Sequence, residues 1–386
     1  MLITQGLKEK EDDKKKPVKV LVTTPSFDSG AWFFTSAFVN RFRANLENSQ
    51  VLAVGMGKVP RKPGFKAITI PYPSFNRWGH FTAINPFFAL LWHFPQFIIG
   101  AIVSLFYKPD IVISNGFVSI LPVVWEKLRG SKLVVLHQFH GSISSSSNFI
   151  RRVVRLLCGA LDLIITNSYD TMNEVIPLCD FEKVVKAELF ADEIFFKGDI
   201  AKPKSDAFTI LYVGRLDDGK LCGLLLELVT RRLNDPALRF EFVGEGQFEG
   251  EIRKLENMGS NVKYHGYVAS SAALRKLYET ADVVWSYTDE NYMSMPAVEA
   301  LACGRPIIVP GISAATRNPI NKDIVPEHVG LIIDPYEIET AESLILDLQA
   351  RGISDDFRRS CRKYAEAKYS SKNLDEAVGA LLSLLT

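Results

Sequence analysis

Three stretches in the second half of the sequence carry side chains that suit an anionic, hydroxyl-bearing ligand. "ENYMSMPAVEALACG" (Glu290 to Gly304) contains the start and stop of a short helix. Pro296 stands where a first helical turn tolerates a missing N–H, and Gly304 is the residue type that closes a helix. Backbone N–H groups around Ser294 and Met295 then lack a helical acceptor and carry positive partial charge, which suits a phosphate or diphosphate. Glu299 falls about one turn inside that helix, past the phosphates and within reach of hydroxyls such as a ribose diol. Complementing the helix dipole is the other role open to it. "VGRLDDGK" sets Arg215 just after an apolar run and Lys220 five residues later, a fixed guanidinium and a point ammonium that together can hold a diphosphate. "FVGEGQFEGEI" forms a tight turn at Gly244 and Gly246, but it lacks the G-K-[ST] ending of a P-loop. In the first half, "LVVLHQFHG" ends a strand-like run with His137 and His140, each open to a buried structural role or to one in a cleft.

The elements that position these groups follow from the apolar pattern. "VKVLVTTPSF" and "DSGAWFFTSAFVNRF" read as a strand, a glycine loop and a helix. Further apolar runs at "VLAVGM", "AITIPYP", "DIVISNG", "KLVVLHQFHG" and "DLIITNS" alternate with helical patterns, which predicts a doubly wound parallel sheet over residues 17–196. "KGDIAKPKSDA" (Lys197 to Ala207) has linker composition. A second series, "FTILYVGRL", "LRFEFVGEG", "NVKYHGYV", "ADVVWSYT", "RPIIVPG" and "VGLIID", predicts a second such domain over 207–370. The closing amphipathic stretch, 371–386, is expected to pack back on the first domain. Two α/β domains facing one another make a cleft, with ligands at the carboxyl ends of the strands.

Composition limits the possible partners. Of 386 residues, 47% are hydrophobic and 23% charged, which marks a folded globular chain of two-domain length. Lys plus Arg is 45 against 44 acids, so charge gives no argument for nucleic acid. Residues 1–16 end in the mixed-charge run "KEKEDDKKK", expected to be a solvated, mobile tail without a signal core. The scattered cysteines Cys158, Cys179, Cys222, Cys303 and Cys361 form no C-x-x-C pair and read as reduced packing residues of a cytoplasmic protein. Between Gly79 and Tyr107 there is no Asp, Glu, Lys or Arg. Pro86 and Pro95 predict two helical pieces packed on a sheet. A surface dipping into a membrane is the second reading, and "NFIRRVVRLL" (Asn148 to Leu157), with Arg151, Arg152 and Arg155, could meet an anionic one beside it.

In order along the chain, these motifs resemble the family 4 glycosyltransferases, retaining enzymes of the GT-B fold. "YVGRLDDGK" is similar to their G-R-L-x-x-x-K signature, "NVKYHGYV" to their N-V-x-F-x-G segment, and "NYMSMPAVEALACGRPII" to their E-x7-E region. The likeness extends over nearly all of Lys19 to Leu385 and is most specific over Tyr212 to Pro310. It implies that Arg215 and Lys220 bind the donor diphosphate, Glu299 the ribose, and the backbone at Ser294 and Met295 a phosphate. Tyr267 and Val268 would lie beside the base. Gly30 would match the first-domain loop that lets backbone approach the donor, with the usual double glycine reduced to one. A histidine at the end of a first-domain strand would orient donor sugar or acceptor, and His140, followed by Gly141, fits that form better than His137.

One position departs from the pattern. Eight residues before Glu299 stands Asn291, with Glu290 one place earlier, where the resemblance implies a glutamate that supports the donor sugar. Either Glu290 shifts into that role or Asn291 fills it as a neutral amide. The activity implied is transfer of a hexose from a UDP-, GDP- or ADP-sugar to a glycan or lipid-linked hydroxyl. No cofactor or obligatory metal is expected, in keeping with the lack of an Asp-x-Asp motif. Hydrolysis or epimerisation of the nucleotide-sugar, or a binding subunit without turnover, are the alternatives.

Overall fold

The computed structural model describes residues 16–27, 30–46, 48–56, 66–70, 86–138, 143, 147–201, 207–288, 291–314 and 316–385. Among these residues, seven parallel strands form the first sheet: β1 (Val18–Ser26), β2 (Ser49–Met56), β3 (Lys66–Ile70), β4 (Ile111–Asn115), β5 (Lys132–His137), β6 (Leu163–Thr166) and β7 (Val184–Lys186). Their spatial order is β3-β2-β1-β4-β5-β6-β7, so the chain reverses its winding between β1 and β4. Six more strands form the second sheet: β8 (Phe208–Val213), β9 (Leu238–Val243), β10 (Val262–Tyr264), β11 (Val283–Trp285), β12 (Ile307–Pro310) and β13 (Gly330–Ile333). Here the order is β10-β9-β8-β11-β12-β13, with the reversal between β8 and β11. β4, β6, β8 and β12 are buried at every residue, because helices cover both faces of each sheet.

The helices are α1 (Gly30–Ala44), α2 (Pro86–Tyr107), α3 (Asn148–Ala160), α4 (Tyr169–Val175), α5 (Gly223–Arg231), α6 (Glu249–Met258), α7 (Ser271–Thr280), α8 (Met295–Ala302), α9 (Ile338–Arg351), α10 (Asp355–Lys368) and α11 (Asp375–Ser383), with a short helical segment over Phe117–Arg129. On one face of the first sheet, Phe34, Phe38 and Phe42 of α1 pack with Ala377, Val378 and Leu381 of α11. Arg41 and Asp375 join the same two helices by an ion pair of 2.9 Å. The other face is covered by α2, the Phe117–Arg129 segment and α3.

Two expectations are corrected. Pro86 and Pro95 do not split the apolar stretch within the described residues: α2 runs unbroken from Pro86, with Pro95 inside it. Proline removes one hydrogen bond from the helical ladder, and the packing of Ile99, Val103 and Tyr107 against the sheet outweighs that loss. The cysteines are not all reduced. The end of α3 lies beside the turn after α4, which brings Cys158 and Cys179 to a Cα–Cα distance of 5.3 Å, and they are joined as a disulfide. Cys222, Cys303 and Cys361 are free and buried, and burial pushes all three thiols up, Cys361 to about 12.

Candidate functional site

The carboxyl ends of β8 and β11 flank the winding reversal of the second sheet, where open α/β sheets bind ligands. Arg215 leaves β8 there. Its Nε lies 3.2 Å from Asp217 Oδ2, and the Tyr212 hydroxyl donates to the Arg215 carbonyl at 2.7 Å. Asp217 thus fixes the guanidinium through Nε and leaves its two terminal nitrogens for an outside acceptor. A single 3₁₀ turn, Asp218–Lys220, then presents Lys220, whose ammonium sits 4.2 Å from the centre of the Tyr287 ring at the end of β11. Arg317 braces this turn by donating to the Asp218 carbonyl.

Beside that turn begins α8. Ser294 caps it: its Oγ accepts from Ala297 N at 3.3 Å and its carbonyl from Val298 N at 3.1 Å. A contact of 2.9 Å to Ser286 Oγ fixes the capping hydroxyl. Pro296 has no N–H, so the Met295 N–H is the donor left at the helix mouth. Glu299, half-buried one turn on, accepts from the Tyr278 hydroxyl at 3.0 Å. Burial first, and the nearby Glu299 charge second, hold the Tyr278 phenol well above the usual tyrosine range, so it stays a donor.

Three glycines end β8, β9 and β10 at this edge. Gly244 N donates to the Gly266 carbonyl at 2.9 Å. A Cβ on Gly244 would stand 1.9 Å from the Gly214 carbonyl oxygen, and its φ is +134°. The strand-ending turns therefore lie backbone on backbone, leaving room for Arg215 above them. Past Gly266, Val268 packs into the domain core while Tyr267 is exposed.

The first domain supplies the facing wall. Gly30 opens α1 at the carboxyl end of β1. Buried side chains at the strand ends form one hydrogen-bonded chain. Gln138 Nε2 donates to Thr35 Oγ1 and Asn115 Oδ1, both at 3.2 Å; Asn167 Nδ2 donates to the Gln138 carbonyl at 3.3 Å; Thr171 Oγ1 donates to Asn167 Oδ1 at 3.1 Å. Tyr292 and Met295, from the loop and first turn of α8, pack against the first domain's apolar cluster, so the two walls touch.

Residues 207–349 match the sequence model of the family described as "Glycosyl transferases group 1". No curated protein matches the chain in sequence. Among solved structures, Anabaena Alr3699/HepE in complex with UDP and glucose is similar at 16% identity, over 95% of this chain and 99% of that one, with a TM-score of 0.66. A glycosyltransferase from Rickettsia africae shares 14% identity over 96% and 99%, with a TM-score of 0.68. A sucrose-phosphate synthase from Thermosynechococcus elongatus shares 16% over 95% and 99%, with a TM-score of 0.66. The fold is GT-B.

Within this GT-B frame, Arg215, Lys220, Met295 N–H and Glu299 all derive from segments that leave the β8 and β11 ends. His137 is only 2% exposed, lies 3.4 Å from Glu174 Oε2 and has the Phe117 ring tilted against it at 5.4 Å. It ends a central strand and is buried between the Phe117 ring and Glu174. His140 and Glu290 lie outside the described residues. Asn291 points across the cleft, where Nδ2 meets both carboxylate oxygens of Asp170 at 3.2 and 3.3 Å. Four side chains at this site were not foreseen: Asp170, Asp217, Tyr278 and Tyr287. Asp217 stands two residues after Arg215 and could have been found as its partner; the other three carry no local signal.

Proposed function

We propose that this GT-B protein transfers a hexosyl group from a nucleotide-sugar to a hydroxyl acceptor, with retention at the anomeric carbon. The grouping of Arg215, Lys220 and the Met295 N–H around the β8/β11 reversal supports this reading above all else. Charge grows on the diphosphate as the glycosidic bond breaks, and two cations and a helix mouth stabilise that charge more in the transition state than in the ground state. Glu299 holds the ribose one turn deeper, steadied by Tyr278. No step in this reading needs a metal or cofactor. Uracil is the first base to test, since UDP is the nucleotide bound in the Anabaena neighbour. Titration calorimetry with UDP-, GDP- and ADP-sugars is expected to give micromolar binding of one of them. Nucleotide release that depends on an added acceptor supports transfer; release without acceptor indicates hydrolysis, and binding without release a non-catalytic subunit. Retention is read from the anomeric coupling of the product by NMR.

A lipid-linked acceptor fits the outer surface of the first domain, and we propose that this surface rests on an anionic bilayer. Among the described residues, no helix is long and apolar enough to cross a membrane. Yet Phe94, Ile98, Ile102, Leu105 and Phe106 lie exposed along one stripe of α2, Phe106 at 83%. On α3, in the same layer, Phe149 and Leu156 are exposed among Arg151, Arg152 and Arg155. α2 and α3 carry no carboxylate, and the one in the Phe117–Arg129 segment, Glu126, is buried; Asp110, just past the end of α2, accepts from Lys19 N. Apolar wedges framed by three arginines match negatively charged headgroups over acyl chains. The chain is expected to sediment with phosphatidylglycerol vesicles and not with phosphatidylcholine vesicles. Ile102→Ser with Phe106→Ser should lower the bound fraction several-fold; equal binding to both vesicle types refutes the assignment.

A further inference from the structure

Asp170 and Asn291 form a polar contact between the two domains that the proposed chemistry does not yet use. Asp170 stands in the first turn of α4, just past the carboxyl end of β6, on the first domain's side of the cleft. Asn291 belongs to the loop that leads from β11 into α8, on the donor side. The amide donates to both carboxylate oxygens, at 3.2 and 3.3 Å, and the contact is exposed.

From this geometry we infer that Asp170 supplies the carboxylate that holds the hydroxyls of the donor sugar, in place of an acid at 291; the inference rests on the nucleotide-sugar reading above. Three observations carry it. The pair is chemically matched: an aspartate at 291 would stand about 3 Å from both oxygens of Asp170, a glutamate would reach one methylene further toward it, and like charges that close oppose one another. An amide is the near-isosteric group that removes the repulsion and adds a donor. Asp170 is also held rigidly. Ser168 and Thr171 cap α4 reciprocally, with Thr171 N to Ser168 Oγ at 3.2 Å and Ser168 N to Thr171 Oγ1 at 3.1 Å. Thr171 is in turn tied through Asn167 to Gln138, so the buried chain beneath the cleft fixes the base of α4. Finally, the carboxylate keeps capacity. An ionised carboxylate offers about four acceptor positions. One shared amide proton at long distance occupies little of that capacity and is readily exchanged for sugar hydroxyls. The donor would then span the cleft, its diphosphate on the second domain and its sugar hydroxyls on Asp170 of the first.

The test compares the wild type with Asp170→Asn, Asn291→Glu and the double exchange, by calorimetry with UDP and with UDP-glucose, or with the GDP or ADP pair if the wild type prefers it. In Asp170→Asn, nucleotide affinity should stay within about twofold while the extra affinity for the nucleotide-sugar falls roughly tenfold or more. Asn291→Glu alone should weaken sugar binding similarly, through repulsion. The double exchange returns the carboxylate to the second domain beside an amide, and should recover at least tenfold over the worse single variant. If the pair is only a latch between domains, Asp170→Asn shifts nucleotide and nucleotide-sugar alike, and the double exchange recovers nothing; that outcome overturns the inference. Absence of nucleotide affinity in the wild type would refute instead the functional reading on which it rests.

Discussion

Replacing both Arg215 and Lys220 by alanine is expected to lower kcat/KM for transfer by about 10³-fold while leaving the fold intact. A hydrogen bond to a charged group contributes roughly 1.5–3 kcal/mol, and removing one donor to a developing oxyanion costs about 10² to 10³ in rate. Arg215 is 47% exposed, so water and salt screen part of its effect, and the single variant should lie at the lower end of that range. Lys220 is half-buried over Tyr287, and its single variant should lose more. Arg215→Lys discriminates further. Lysine keeps the charge, but its single nitrogen cannot bond Asp217 and also offer two parallel donors outward, so it should recover only a minor part of the loss. Steady-state kinetics and nucleotide calorimetry measure both effects. Undiminished nucleotide affinity in the double variant would leave the phosphate assignment without support.

Gly244→Ala should do its damage through the fold. The added Cβ would lie 1.9 Å from the Gly214 carbonyl oxygen, a backbone atom that cannot swing aside, and a φ of +134° is itself strained for alanine. Both costs point to a loss of at least about 4 kcal/mol, or a fall of roughly 10 °C in the melting temperature of a domain of this size. Gly250, in the first turn of α6, has nothing within 4 Å of a built Cβ. Gly250→Ala should therefore be neutral or stabilise by up to about 1 kcal/mol. Thermal unfolding of the two variants side by side separates a crowded glycine from an incidental one. If Gly244→Ala melts like the wild type, the turns are not packed as described.

The contrast between these two glycines shows what could be read from the sequence. Strand–helix alternation is a local signal repeated a dozen times, and it predicted the two parallel sheets that the structure contains. The start and stop of α8 were equally visible, since Pro296 and Gly304 act through their own backbone preferences. Sequence pattern did not show how far-separated side chains would pair. Asp170 and Asn291 are 121 residues apart, and Tyr278 reaches Glu299 from a different helix. The Cys158–Cys179 bridge follows no spacing rule, because it depends on where α3 happens to end against the turn after α4. Pro95 misled for the opposite reason. Its local penalty is real, yet burial along α2 decides the outcome. For His137 the residue type alone did not show its surroundings, which Phe117 and Glu174 supply from elsewhere in the chain.

The path of the last thirty residues has a consequence for how the molecule is made and how it moves. α11 and the turn before it, made after the whole second domain, complete the core of the first domain through Leu374, Ala377, Val378 and Leu381. The first domain thus leaves the ribosome with an apolar groove that a helix following the whole second domain fills, and it completes its core only once that helix has been made. The chain also passes between the lobes twice, and the two passages are stitched together: Ala191 N donates to the Tyr369 carbonyl at 2.9 Å, and Asn373 Nδ2 to the Leu189 carbonyl at 3.0 Å. A single tether would permit swivelling in any direction, whereas a paired one leaves the lobes free to open and shut chiefly about the line that the two passages define.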